Sequence, residues 1–219
     1  MKNTLMLSAL IGAGVLASTP AAAQIGVGVV GGTNGLGLYV GTPVSDRINV
    51  RIQGSKWTIS ESKKIDDINY DVDLDIGAIG AYLDFHPFSN NFRISAGISK
   101  SLHELNIENK PVASASFSIG DTPITGSVQA GEIRGKADFN FAPYVGIGWG
   151  NITHIGWGVR FDLGAHFLGR ADVDYTLSNR LKTAFSVTEA DINKEEQRAE
   201  DDIGELIYPE VSLSIHYGW

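Results

Sequence analysis

A strict period of two runs through most of this chain, and after the first two dozen residues no stretch is apolar for eighteen residues in a row. The alternation assigns the chain to β-strands, and the short apolar runs exclude a membrane-spanning helix. Phe139, Phe141, Pro143, Val145, Ile147 and Trp149 alternate with Asn140, Ala142, Tyr144, Gly146 and Gly148. Ile155, Trp157, Val159, Phe161, Leu163, Ala165 and Phe167 alternate in the same way with Gly156, Gly158, Arg160, Asp162, Gly164 and His166. At the C-terminus Val211, Leu213, Ile215, Tyr217 and Trp219 face away from Glu210, Ser212, Ser214, His216 and Gly218. Each segment has one bulky apolar face and one face of glycine and polar residues, the pattern of a strand set between lipid and a polar lumen.

Five further strands read less cleanly. Ile48, Val50 and Ile52 alternate with Asn49, Arg51 and Gln53, and Phe92, Ile94, Ala96 and Ile98 with Arg93, Ser95, Gly97 and Ser99. Leu36 to Val40 and the Gly/Val run Ile25 to Gly31 can pair across Gly32-Thr33-Asn34-Gly35, where Asn34-Gly35 is a hairpin signal. The segment Tyr70 to Phe85 changes parity near Gly77, which predicts a bulge there. The expected fold class is therefore all-β, an eight-stranded antiparallel up-and-down transmembrane β-barrel. Connections at Thr42–Asp46, Pro87–Asn91 and Asn151–His154 are short. Those at Ser60–Asn69, Asn109–Asp138 and Asp172–Leu206 are long and polar, and alternate with the short ones like extracellular loops with periplasmic turns. The charged run Glu189 to Asp202 allows a short helix in the last long loop. Aromatics gather near both sets of strand ends, as in interfacial girdles.

The N-terminus supplies Lys2, an apolar run Leu5–Ala17 and the small residues Ala21-Ala22-Ala23, the order of a cleavable export leader. Residues 1–23 are thus expected to be a signal peptide and 24–219 the barrel. The chain carries a net charge of −8, so nucleic acid is not an expected partner. It has no cysteine, which excludes disulfides, thiolate metal sites and cysteine nucleophiles. Mean hydropathy near zero is what averaging lipid-facing and lumen-facing residues yields.

The final run Val211-x-Leu213-x-Ile215-x-Tyr217-Gly218-Trp219 resembles the terminal-strand signal of outer-membrane proteins, with Trp in place of the usual Phe. Tyr70-Asp71, Leu83-Asp84-Phe85-His86-Pro87-Phe88, Phe92-Arg93-Ile94-Ser95-Ala96-Gly97, Ala142-Pro143-Tyr144-Val145-Gly146-Ile147-Gly148-Trp149-Gly150 and Tyr208-Pro209-x-Val211-Ser212-Leu213 resemble a family of small proteobacterial outer-membrane proteins, with barrels like those of OmpA, OmpX and OmpW. The resemblance implies an outer-membrane location among lipids and lipopolysaccharide, and recognition by the barrel-assembly machinery through the strand ending at Trp219. It implies no activity.

Alternation places Arg51, Asp73, Asp75, Asp84, Arg93, Arg160, Asp162, His166, Glu210 and His216 on lumen-facing rows. An eight-stranded barrel is narrow enough to be filled by side chains, and buried charges of both signs must pair. A lumen charge network of Arg51, Asp84, Arg93, Arg160, Asp162, His166, Glu210 and His216 is the expected result. The leading functional expectation is a structural or interaction protein presenting extracellular loops, not an enzyme. The rivals are a narrow channel or conduit for a small hydrophobic ligand, and a lipid A-modifying enzyme. The enzyme's local candidates are Ser214 with His216, and His103-Glu104 with Ser99 and Ser101, but no nucleophile, base and orienting group are placed together by spacing. No cofactor or metal is expected: the five histidines are scattered, and Asp71-x-Asp73-x-Asp75 lacks the rest of a calcium loop.

Overall fold

The computed structural model describes residues 24–65, 68–152 and 154–219; the expected signal peptide lies outside them. In chain order the elements are β1 (Gly26–Gly32), β2 (Gly35–Ser45), β3 (Ile48–Ile65), β4 (Ile68–Phe85), β5 (Phe92–Ser101), β6 (Glu104–Asn109), β7 (Val112–Ile119), β8 (Thr122–Val128), β9 (Ile133–Asp138), β10 (Phe141–Trp149), β11 (Gly156–Arg170), β12 (Asp172–Leu177), α1 (Asn179–Phe185), α2 (Glu189–Ile203) and β13 (Glu205–Gly218).

Eleven strands form one sheet in the order β12-β9-β6-β4-β3-β2-β1-β13-β11-β10-β5, and a β4–β5 pairing joins its end back to its interior. The antiparallel pairings of β1 to β5, β10, β11 and β13 therefore return on themselves. Residues opposite one another in register lead from Gly26 through Gly41, Arg51, Tyr82, Gly97, Tyr144 and His166 to Tyr208. Gly26 itself pairs with Gly218, at the far end of that last strand. This stagger is the mark of strands tilted around a closed barrel.

Inside this circuit the polarity is the reverse of a water-soluble barrel. Val29, Leu38, Ile52, Ile79, Ile98, Val159 and Leu213 point outward, each more than half exposed. Arg51, Arg93, Arg160, Asp84 and His166 point inward and are buried.

The sheet has eleven strands, three more than the circuit of β1 to β5, β10, β11 and β13. Beyond the end of the circuit opposite the short turns, β6, β9 and β12 continue the wall next to the upper half of β4. Segments expected as long loops are thus largely ordered: Ser60–Asn69 belongs mostly to β3 and β4, Asn109–Asp138 contributes β7 to β9, and Asp172–Leu206 contributes β12, α1 and α2.

The bulge expected at Gly77 is also corrected. The β3–β4 register runs without a shift from Ile48↔Phe85 to Ile65↔Ile68. What flips is the environment. From Ala78 to Phe85 the outward residues Ile79, Ala81, Leu83 and Phe85 are apolar. From Tyr70 to Ile76 the outward residues are Asp71, Asp73 and Asp75, and the apolar ones turn inward. A register shift does occur at Phe167/Gly169 on β11, where Gly169 has φ 72°. There the buried parity changes from the even-numbered His166 and Leu168 to the odd-numbered Val173 and Leu177 on β12.

The inward apolar face of the extended wall is covered by the β7–β8 hairpin and the two helices. Ile119, Ile124, Val128, Ile133, Leu177, Leu181, Val187 and Ile192 form one core, with Tyr70, Phe117 and Tyr175 against it. Ser178 caps α1, accepting the Leu181 N–H, and Thr188 with Asp191 makes a reciprocal capping box on α2. Each cap satisfies donors that the first helical turn leaves free.

Candidate functional site

The lumen is built from small residues opposite large ones. A Cβ on Gly164 would stand 2.4 Å from the Tyr144 hydroxyl, and one on Gly158 would stand 2.4 Å from the His216 ring. Glycine at these positions gives Tyr144 and His216 their space, and the aromatic and guanidinium groups fill the barrel.

Near the short turns, three arginines and two aspartates meet. Asp84 accepts from Arg51 Nε and Arg160 Nη2, each at 3.2 Å, and from Ser95 Oγ at 2.6 Å. Arg93 donates to Asp162 and, at 2.7 Å, to the Gly150 carbonyl. Asp162 lies 3.7 Å from Arg160 and 3.8 Å from Arg51. Arg51 covers the Tyr82 ring at 4.4 Å and Arg160 the Tyr39 ring at 5.0 Å, adding cation–π attraction. All five charged groups are 3% exposed or less, so each survives burial only through these partners.

One layer further from the turns, His166 Nε2 meets Glu210 at 2.6 Å and His166 Nδ1 meets Ser99 Oγ at 3.0 Å. Asn34 donates to Glu210 at 3.2 Å, and Gln53 links the layers, accepting from Arg51 and donating to Glu210 at 3.4 Å. The turn end is closed by Asn49, which donates to Asn151 at 3.0 Å and lies 3.2 Å from His86. Ile152 seals the same end against Val30 and Tyr39, 1% exposed.

Seven of the eight residues expected in the lumen network are thus placed in two bonded layers. The eighth, His216, is buried on the same wall but has no carboxylate partner; its ring stands edge-on to Tyr39, with centroids 6.5 Å apart. Asp73 and Asp75, also expected in the lumen, lie outside it on the outward face of the extended wall. There Asp75 pairs with Lys56 at 2.8 Å. They are excluded because the lumen ends below Gly77 on β4.

The expected network left out Asn34, Gln53, Ser95 and Ser99, which are neutral and so carry no charge signal, and Ile152, which sits in a turn. Of the enzyme candidates, Ser214 and His216 share the inner face without an acid. His103 meets Ser101 at 3.0 Å and the Tyr208 ring at 4.4 Å. The chain Ser99–His166–Glu210 has the order of a hydroxyl, a base and an acid. Ser99 is 1% and His166 0% exposed, so the hydroxyl is enclosed in the packed lumen.

The extended wall carries its own polar chemistry. Glu132 is held by the Arg180 guanidinium, by the Ser178 hydroxyl at 3.0 Å and by the Gln129 N–H at 2.6 Å. These partners, Arg180 foremost, bring its carboxyl down to about 2 against the opposing effect of burial. The open edge of β12 is covered by α2: Glu196 accepts the Tyr175 N–H at 2.8 Å and Glu200 the Val173 N–H at 3.4 Å. Among the described residues no three or more of His, Asp and Glu cluster as a metal ion would require.

Apolar outside and ionic inside, the molecule belongs to the class of closed β-barrels with a filled lumen. Its fold is shared with CarO2 of Acinetobacter baumannii: the two superpose with a TM-score of 0.52 at 19% identity, covering 90% of this chain and 98% of that one. CarO of the same organism aligns at 18% identity and a TM-score of 0.49, covering 89% of this chain and 97% of that one. No family model and no curated protein matches the sequence.

Proposed function

We propose that this protein is an outer-membrane barrel whose filled lumen serves as a scaffold, and whose working surface is the ordered domain at the end opposite the short turns. The observation that carries this reading is the inverted polarity. A ring of exposed Val, Leu, Ile and Phe surrounds a buried Arg/Asp cluster, which is unfavourable in water and suits hydrocarbon outside. The short turns then face the periplasm, with Trp149, Trp157, Tyr217 and Trp219 as the interfacial girdle, and β6 to β9, β12, α1 and α2 face the exterior. The charged outward wall beyond the belt stands among lipopolysaccharide headgroups, and the C-terminal strand ending at Trp219 is the segment offered to the barrel-assembly machinery. The role is binding or structural, with no catalytic step.

The test is reconstitution into planar bilayers. The filled lumen predicts no steady single-channel conductance from protein whose folded state is verified by heat-modifiable gel mobility. Steady conductance would instead support the channel reading. Changes in lipid A mass on overexpression would support the enzyme reading.

A further inference from the structure

Between α2 and the inner face of the extended wall lies a cavity of about 260 Å³. Leu105, Ile107, Val173 and Tyr175 line it from the wall, and Ala199 and Ile203 from the helix. It exists because small residues face each other there. Ala137 of β9 packs with Ala199, where larger side chains would have closed the gap, and Gly135 leaves room for the Tyr175 ring, which a Cβ there would meet at 3.2 Å. An apolar cavity of about 150 Å³ is enough to hold benzene, so this one has room for a substituted ring or a fused pair.

The charged groups nearby are already committed. Lys136 borders the cavity, but its ammonium is bonded to Glu104 at 3.3 Å and to Asp138. Glu196 and Glu200 are turned to the β12 edge, where they accept backbone N–H groups. The lining therefore offers no spare cation for an acid and no spare carboxylate for an amine. A membrane acyl chain is also a poor fit. The opposite face of the same wall carries Asp71, Asp73, Glu104 and Glu108 and belongs at headgroup level, so the wall stands between the cavity and hydrocarbon.

We propose that this cavity is a binding site for a small, neutral, apolar molecule, of the size of one or two fused rings, taken up from the exterior. The site is independent of the lumen and stands whether or not the barrel conducts ions.

The test uses the folded chain in amphipol, labelled at isoleucine methyls and titrated with naphthalene. Ile107, Ile133 and Ile203 should shift saturably. Ile124, in the domain core, and Ile215, on the lipid-facing belt, should not. Ala199→Phe, which fills the cavity, should weaken binding by roughly tenfold or more, while Ala113→Phe, on the exposed part of β7, should leave it unchanged. If Ala199→Phe does not fold, Ala137→Leu fills the same space from the wall.

Ile215 shifting as strongly as Ile203 would mean partition into the belt and overturn the proposal, as would undiminished binding by a folded, cavity-filled variant. Binding in amphipol that disappears in lipid nanodiscs would assign the cavity to an acyl chain and equally overturn it.

Discussion

Removing Asp84 should damage the barrel far more than removing Arg160, although the two are partners at 3.2 Å. Asp84 is the carboxylate that three guanidinium groups share, with Arg51 and Arg160 at 3.2 Å and Arg93 at 3.8 Å. Asp84→Ala leaves those three cations facing Asp162 alone in that layer, and it orphans the Ser95 hydroxyl. An uncompensated buried charge typically costs about 3 to 5 kcal/mol. Arg160→Ala loses a charge-assisted hydrogen bond and the Tyr39 face, but it also relieves repulsion from Arg51 and Arg93. A net cost of about 1 to 2 kcal/mol follows. The double variant restores the balance of the layer, so it should cost less than the sum of the two single changes by about 0.5 to 3 kcal/mol. Urea unfolding from lipid vesicles, followed by tryptophan fluorescence and gel mobility, measures all three. Equal single effects that add in the double variant would show that lumen water solvates each charge separately, and the argument from mutual pairing would fail.

Leu163→Arg should place a charge on the lipid-facing belt and cost about 2 to 4 kcal/mol in the same unfolding assay. On the other face, Gly164→Ala meets the Tyr144 hydroxyl, so it too should destabilise, by about 1 to 3 kcal/mol, and Tyr144→Leu should rescue it; no rescue would place the damage elsewhere. An epitope tag at Asn193 should be labelled on intact cells, whereas one at Asn90 should need a permeabilised outer membrane, and the reverse pattern would invert the topology. The stability that Glu132 contributes is fully present above the ordinary glutamate value near 4.5 and is lost as pH falls toward about 2, because the unfolded chain binds that proton more readily. Pepsin cleavage of the exterior domain should therefore accelerate across that window in the wild type. Glu132→Gln should be cleaved faster at its upper end and show a flatter pH profile; an unchanged profile would remove Glu132 from the account.

The barrel was legible where one residue in two is bulky and apolar, as from Phe141 to Trp149, since a half-buried strand leaves no other reading of that pattern. The same alternation placed Arg51, Arg93, Arg160, Asp84 and Asp162 on the inner wall. It could not tell which of them touch. Arg160 and Asp162 are two residues apart, yet Arg160 lies closer to Asp84, because contacts across a narrow lumen depend on stagger and not on spacing along a strand. The domain beyond the lumen was hidden for another reason. Strands β6, β9 and β12 are each six residues long, rich in charge on one face, and paired only with segments distant in sequence. Such pieces resemble loops until the partners are known. Tyr70 to Phe85 misled in the opposite way: its change of apolar face was real, but a change of surroundings along an unbroken strand produced it.

On the proposed outer-membrane reading, that unbroken strand ties the vertical position of the protein in the bilayer to single residues. Ile79 and Asp75 both project outward from β4, four residues apart on a rigid, continuously paired ladder that rises about 3.4 Å per residue. Sinking the barrel by one outward position would begin to draw Asp75 into hydrocarbon, and raising it by the same amount would lift Ile79 into the headgroups. Since β3 is locked to β4 along its whole length, neither strand can slip to absorb the error. The hairpin acts as a depth gauge, holding the floor of the exterior domain at one height above the lipid.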